Sequence, residues 1–336
     1  MRKKKTKLNI KNIVIFILII LLIIFCLVKL FTKKNIKDKE APILTLTGSD
    51  ITIFINSQYK EPGFKAIDKI DGDLTNKVKV EGQVDYKKAG LYELKYTVSD
   101  KSKNKVTKTR KVTVSKDSPL DMSIKDFKLS GLFPDVLLKE TTNLGSNYSD
   151  EFIYMGDSVP LYYVINDIIP GTKLWHKEGI NPETALTNSI YINHQETNKT
   201  FIENIAIKKP KKVLLTLGSN SAAYMESAFF IKNYKKLLLG MQEVSKDTIF
   251  IVQSIPPVSK NIDETSALTN KKINNLNYYL LEMCNELNIP FLNSAEVLKD
   301  EEGHLKEGYY IKDGIHLTAN ANELIMKYFQ NHTYKK

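Results

Sequence analysis

Cysteine and arginine are both scarce in this 336-residue chain. Two cysteines, Cys26 and Cys284, do not make a disulfide framework. Cys26 lies in an apolar run, and Cys284 lies in an amphipathic pattern where a thiol reads as a small buried hydrophobe. Cysteine usage therefore says nothing about compartment. Arginine occurs only at Arg2 and Arg110 while lysine, isoleucine and asparagine abound, the bias of an AT-rich bacterial genome. A basic surface is missing from the longest stretch: residues 116–336 carry 24 Lys/Arg against 27 Asp/Glu. The overall +11 comes from residues 1–40, with 11 against 2, and residues 41–115, with 14 against 9. A nucleic-acid partner is not indicated. The basic excess sits mostly beside an apolar segment, as membrane-flanking charge does. Metal-ligand spacing is missing too, since His176, His194, His304, His316 and His332 form no such pair. Asp68, Asp71 and Asp73 do not fit an EF-hand loop and read as turn residues. Neither metal nor cofactor is expected.

What is present begins with "IVIFILIILLIIFCLVKLF", 19 residues from Ile13 to Phe31 interrupted only by Lys29. At ~1.5 Å per residue the run spans ~28 Å, close to a ~30 Å hydrocarbon core. Lys29 lies near its end and can snorkel to the interface. The run is long for a signal peptide, and "TKKNIKDKE" supplies no small-residue cleavage site after it. The expected plan is a cytoplasmic tail over 1–12, a transmembrane anchor over 13–31 and a linker over 32–40. Six positive residues flank the segment on its N-terminal side and five on the other. That small bias puts the N-terminus inside and the C-terminal ectodomain outside the cell.

Residues 41–115 change to short alternating runs, "ILTLTG", "DITIFINS", "KVKVEG", "LYELKYTVSD" and "KVTKTRKVTV", separated by turn residues. Period-two runs of β-branched and aromatic residues predict an antiparallel β-sandwich. The stretches "APILTLTG", "YKEPGFKAIDKIDGDLTNKV" and "AGLYELKYTVSDKSKNKVTKTRKVTV" resemble the bacterial Ig-like modules related to HYR and cadherin-like repeats. The resemblance implies a surface spacer or adhesive unit outside the cell. Only one copy is present, so a repeat array is not expected.

Residues 116–148 read as a linker that begins at "SKDSPLD", with "LFPDVLLKETTNLGSNYSD" expected to pack against the next domain. From 149 to 334, apolar runs alternate with helical patterns. Predicted strands are "FIYMG", "KKVLLTLG", "DTIFIVQSI" and "IPFLNS", with a weaker one at "TKLWHKEG". Predicted helices follow Ser158, lie near Pro182, follow Thr200, cover Ser227–Val244 and Ser266–Leu287, and start near Asn320. Apolar strands alternating with helices predict a parallel sheet covered on both faces. Chemistry in such sheets collects beyond the carboxyl ends of the strands. Three polar clusters land there or can reach it: Gly156-Asp157-Ser158, Gly218-Ser219-Asn220 and Asp313-Gly314-Ile315-His316. A serine hydroxyl needs a base to take its proton, and an imidazole held by a carboxylate is the usual one. The oxyanion formed on attack needs fixed donors.

The blocks "GDS", "GSN" and "DGIH", in this order over residues 150–332, resemble those of the SGNH (GDSL-type) hydrolases. The resemblance implies a flavodoxin-like three-layer sheet and a serine esterase or acyltransferase. It maps the nucleophile to Ser158, the acid and base to Asp313 and His316, and the oxyanion donors to Ser158, Asn220 and a glycine. Gly179 is the choice for that glycine, with Gly171 as the alternative. Val159, Ser221 and Leu317 depart from the residues usual beside these blocks, and Ser221 replaces an acid that often supports the asparagine. Trp175 and His176 are candidates to border the pocket. The expected activity is a cell-surface esterase removing acyl groups, acetyl above all, from envelope carbohydrate. Transfer of the acyl group to another hydroxyl is the first alternative, and a non-catalytic adhesin is the second. Expected partners are an ester of a carbohydrate, the membrane through the N-terminal helix, and a cell-wall polymer through the Ig-like module.

Overall fold

The computed structural model describes residues 20, 38–48, 50–55 and 58–334. The anchor expected over 13–31 lies outside the described residues, Ile20 aside. Among the described residues no helix is long and apolar enough to cross a membrane.

The first strands are β1 (Ile43–Leu46), β2 (Ile51–Phe54), β3 (Phe64–Asp68), β4 (Gly72–Asp73), β5 (Lys79–Glu81), β6 (Gly90–Ser99) and β7 (Lys105–Ser115). They form sheets in the orders β1-β3-β4 and β2-β7-β6-β5. Along β6 and β7 every second residue toward the strand end is buried, including Leu94, Tyr96 and Val98, then Arg110, Val112 and Val114. The expected all-antiparallel pairing fails at β2, which runs parallel to β7 with Ile51 opposite Val112. About fifty residues separate these strands, so no hairpin forces them antiparallel.

The chain divides into two compact units. The first comprises Met1–Thr45, Phe64–Val80 and Tyr96–Lys108. Its core holds Leu44, Ala66, Leu74, Tyr96 and Val98, with the Phe64 and Tyr96 rings 5.3 Å apart. Asp68 and Asp73 serve local turns, while Asp71 bonds the backbone and side chain of Lys101. Asp68 Oδ1 accepts from the N–H groups of Ile70 and Asp71, and Asp73 Oδ1 accepts from that of Thr75. The carboxylates of Asp38, Asp68 and Asp100 approach within 4.8 Å of one another, a grouping no local spacing announced.

The second unit comprises Leu46–Gly63, Glu81–Lys95 and Thr109–Lys336. Its strands β8 (Phe152–Gly156), β9 (Leu174–His176), β10 (Tyr191–Ile192), β11 (Gln195–Glu196), β12 (Lys212–Thr216), β13 (Ile249–Gln253) and β14 (Phe291–Leu292) make one sheet in the order β11-β10-β9-β8-β12-β13-β14. From β9 to β14 all pairs are parallel. Counted along the chain, these five run 2-1-3-4-5, the flavodoxin-like order. β10 and β11 add an antiparallel edge that the sequence pattern had not predicted.

Helices are α1 (Ser146–Ser149), α2 (Ser158–Ile165), α3 (Phe201–Lys208), α4 (Ser227–Val244), α5 (Lys260–Thr265), α6 (Asn270–Leu287) and α7 (Ala319–Asn331). Val213 and Leu215 of β12 face one apolar cluster with α3, α4 and α6, and Leu214 faces the other with α2 and α7. Burial on both faces explains the unbroken apolar runs. The segment expected as a linker over 116–148 is packed: Leu129 and Val136 are buried in the first cluster, and Leu137 bridges Phe291 in parallel. The helix expected near Pro182 is only a single 3-10 turn, Thr184–Leu186.

Candidate active site

The chain leaves β8 to build β9 on one side, then crosses back to place β12 on the other. Between β8 and β12 the winding reverses, the switch point beyond whose carboxyl ends such sheets bind ligands. Ser158 follows β8 and Asn220 follows β12. Gly156 pairs with Thr216, and a Cβ there would lie 1.8 Å from the Thr216 carbonyl oxygen. Only glycine lets the two strand ends close in this way. Asp157 then caps α2, its Oδ1 accepting from the Val159 N–H at 2.9 Å. Ser158 is the first residue of α2, so its own N–H has no partner within the helix. The helix dipole there favours negative charge.

The histidine comes from the loop before α7. Gly314 sits at φ +73°, and a Cβ on it would meet Ser259 Oγ at 2.3 Å, so this turn also demands glycine. Asp313 Oδ1 accepts from the backbone N–H groups of Ile315 and His316 at 2.8 and 2.9 Å. Its Oδ2 lies 2.7 Å from His316 Nδ1, and His316 Nε2 lies 2.9 Å from Ser158 Oγ. One carboxylate thus shapes the loop and orients the ring. With Nδ1–H donated to Asp313, the Nε2 lone pair faces the serine hydroxyl. Burial pushes the Asp313 carboxyl up, but the His316 ring and the two N–H groups outweigh it and hold it below the usual aspartate range. It therefore stays ionised beside the ring.

Asp157 is fully buried and does more than cap. Its Oδ2 accepts from the Gly218 N–H at 3.3 Å and from Asn220 Nδ2 at 3.4 Å. Burial raises its carboxyl to about 6, against the backbone donors of Val159, Gly218 and Ser219 and the nearby His316. Behind it, Gln253 joins Thr216, Tyr163 and Ser294 in a buried hydrogen-bonded layer tying α2 to the strand ends. No pattern in the sequence assigns these roles. The acid before Ser158 is visible there, but its partners lie 61 and 63 residues away.

Asn220 follows β12 at this switch point, with Nδ2 also 3.5 Å from the Ile180 carbonyl oxygen. Both contacts of its amide are long. Gly179 precedes Ile180 in a left-handed turn at φ +70°, where a Cβ would have no neighbour within 4 Å, and its loop adjoins Asn220. Gly171 starts a turn at the opposite end of β9 and is crowded by Asn193 and His194. Trp175 is buried in the core. His176 ends β9 opposite Gly156, with its ring against those of Tyr191 and His194. Burial, then the charge of His194, lowers it to about 4, so it is neutral near pH 7.

Residues 44–114 match the family described as bacterial surface protein, Ig-like domain. That stretch is a bacterial surface Ig-like domain. No curated protein matches the chain by sequence. Several solved structures match just over half of the chain at low identity. A GDSL-like lipase from Bacteroides thetaiotaomicron is 19% identical over 53% of this chain and 85% of its own, with a TM-score of 0.41. An acetylxylan esterase from Geobacillus stearothermophilus is 13% identical over 55% and 94%, with a TM-score of 0.39. A carbohydrate esterase family 3 protein from Talaromyces cellulolyticus is 14% identical over 53% and 92%, with a TM-score of 0.38.

Proposed function

We propose that residues 149–334 form a serine acylhydrolase acting on esters of envelope carbohydrate. The observation that carries this reading is the continuous relay from Asp313 through His316 to Ser158, at 2.7 and 2.9 Å. In the first half-reaction Ser158 Oγ attacks the ester carbonyl while His316 Nε2 takes its proton. The C–O bond to the alcohol then breaks, and His316 returns the proton to the leaving oxygen. In the second half-reaction water attacks the acyl-serine, His316 takes its proton, and Ser158 leaves as the free hydroxyl. The oxyanion in each half is assigned to the Ser158 N–H, the Asn220 amide and the Gly179 N–H. Asn220 must turn from its long contacts toward the substrate, as apo-site donors commonly do.

The Asp313 side chain is 40% exposed and that of His316 27%. Water can reach such a site, which favours hydrolysis over transfer to a second hydroxyl. The surface Ig-like domain and the apolar run over 13–31 support an anchored protein with its C-terminal part outside the cell, and the Ig-like domain is the part proposed to meet cell-wall polymer. The test uses the full chain in detergent with p-nitrophenyl acetate, and with acetylated and deacetylated glycan as competitors. The proposal expects turnover that Ser158→Ala abolishes, and an acyl adduct on Ser158 by mass spectrometry. Equal, negligible rates in both proteins would leave the adhesin reading in its place.

A further inference from the structure

His316 is held in its own plane by Asp313 at Nδ1 and Ser158 at Nε2, at 2.7 and 2.9 Å. These bonds act at the ring edge and leave its faces to other partners. One face is covered by Tyr162, whose ring lies on the imidazole with centroids 4.5 Å apart and planes 18° from parallel. Tyr162 is one helical turn after Ser158 on α2, so nucleophile and stacking ring share one helix face. Helix α2 is also tied to α7 and to the histidine loop by side-chain amides on backbone carbonyls. Asn322 Nδ2 donates to the Tyr162 carbonyl at 3.1 Å, and Asn166 Nδ2 donates to that of Leu317, the residue after His316, at 3.2 Å. Burial raises the Tyr162 hydroxyl above its usual value, and the charges of Asp313 and Glu178 add to this, so the phenol stays neutral over the working range.

We propose that Tyr162 is a positioning residue for the acylhydrolase reading, one that packs on one face of the His316 ring in the relay geometry and stabilises its protonated form through its π-face. The inference rests on that reading for its kinetic consequence but not for its geometry. A ring face favours a cation over a neutral partner, so the contact gains strength as His316 takes the serine proton. Removal of the ring is expected to lower kcat about tenfold while leaving KM within about twofold, because the ring acts on the base and not on the substrate.

The experiment compares Tyr162→Leu and Tyr162→Phe with the wild-type full chain. Leucine keeps bulk but no ring, and phenylalanine keeps the ring but no hydroxyl. Loss of kcat in the leucine variant, recovered by phenylalanine, supports the proposal. A kcat for Tyr162→Leu equal to wild type overturns it, as does an equal loss in both variants, which would make the hydroxyl the active part. The His316 ring protons give a second measurement, free of turnover. Stacking beneath Tyr162 shifts them upfield, and in Tyr162→Leu that shift is expected to disappear from the proton NMR spectrum while the phenylalanine variant keeps it. Unchanged His316 resonances in the leucine variant overturn the stacking role even if the wild-type protein proves to be no esterase. A wild-type protein without activity but with the shifted resonances would remove the proposed function and leave the positioning intact.

Discussion

Strands β6 and β7 of the Ig-like domain alternate buried and exposed residues, whereas β8, β12 and β13 of the α/β part bury nearly every residue. Their polar groups differ in the same way. In the Ig-like domain several carboxylates satisfy donors two to four residues away, Asp68 with Ile70 and Asp71, Asp73 with Thr75, Asp100 with Asn104, while Asp71 and Asp50 reach the N–H groups of Lys101 and Lys111. In the α/β part, the local Asp313–His316 pair is joined to Ser158 across 158 positions, and Asp157 is joined to Gly218 across 61. A sheet with one wet face can satisfy its polar groups locally or with water. A sheet covered on both faces leaves room for polar chemistry only at its ends, so the groups must arrive from distant segments.

The comparison predicts large catalytic and small structural effects for the distant set, and the reverse for the local set. Ser158→Ala and His316→Ala are each expected to lower kcat by ~10⁴–10⁶ with little change in melting temperature. Steady-state ester hydrolysis with thermal unfolding alongside checks both halves. Asp313→Asn is expected to cost up to ~10⁴ in kcat, because the amide favours the wrong imidazole tautomer. Asn220→Ala is expected to cost ~10²–10³ in kcat, the usual loss for one oxyanion donor. A wild-type rate in that variant would remove Asn220 from the oxyanion assignment.

Asp157 sharpens the comparison through pH. Its carboxyl rises from the ordinary 3.8 to about 6 on folding, chiefly through burial. A raised acid binds its proton more tightly when folded. The associated stability is fully present below about 3.8 and is lost as pH rises through about 6, a change worth ~3 kcal/mol. Urea unfolding of wild type and Asp157→Asn at pH 4 and pH 7 should show this slope in the difference between the two proteins, the groups they share cancelling. The smallest effect belongs to the local set. Asp68→Ala removes two turn hydrogen bonds and should lower stability by ~1–2 kcal/mol while leaving kcat at the wild-type value. A fall in kcat would mean that the two regions are not independent in function.

Long periodic elements are legible in the amino-acid pattern. The helix predicted over Ser227–Val244 has those limits, and the one predicted from Ser266 starts at Asn270, where the Thr269 side chain accepts from the Lys272 N–H. Short and irregular pieces are not. The two-residue strands β10 and β11 are too brief to show a period. Residues 116–148 show no repeat in their apolar side chains, so packing is expected only from Leu132 on, where Val136 is buried, and not at Leu129, which is buried as well. The parallel course of β2 is equally invisible, since alternation fixes which face is buried but not strand direction.

The sequence alone determined the partition into an alternating β region and an α/β region, and it placed Ser158, Asn220 and the Asp313–His316 pair at or near element ends. Those features depend on hydrophobic period and on turn chemistry, which act over a few residues. Only the tertiary structure decided that Asp157 would tie the ends of β8 and β12 together, and that the Tyr162 ring would cover His316. Neither has a local signal, because the crossing of β8, β12 and the last loop is set by how the sheet packs between its two layers of helices.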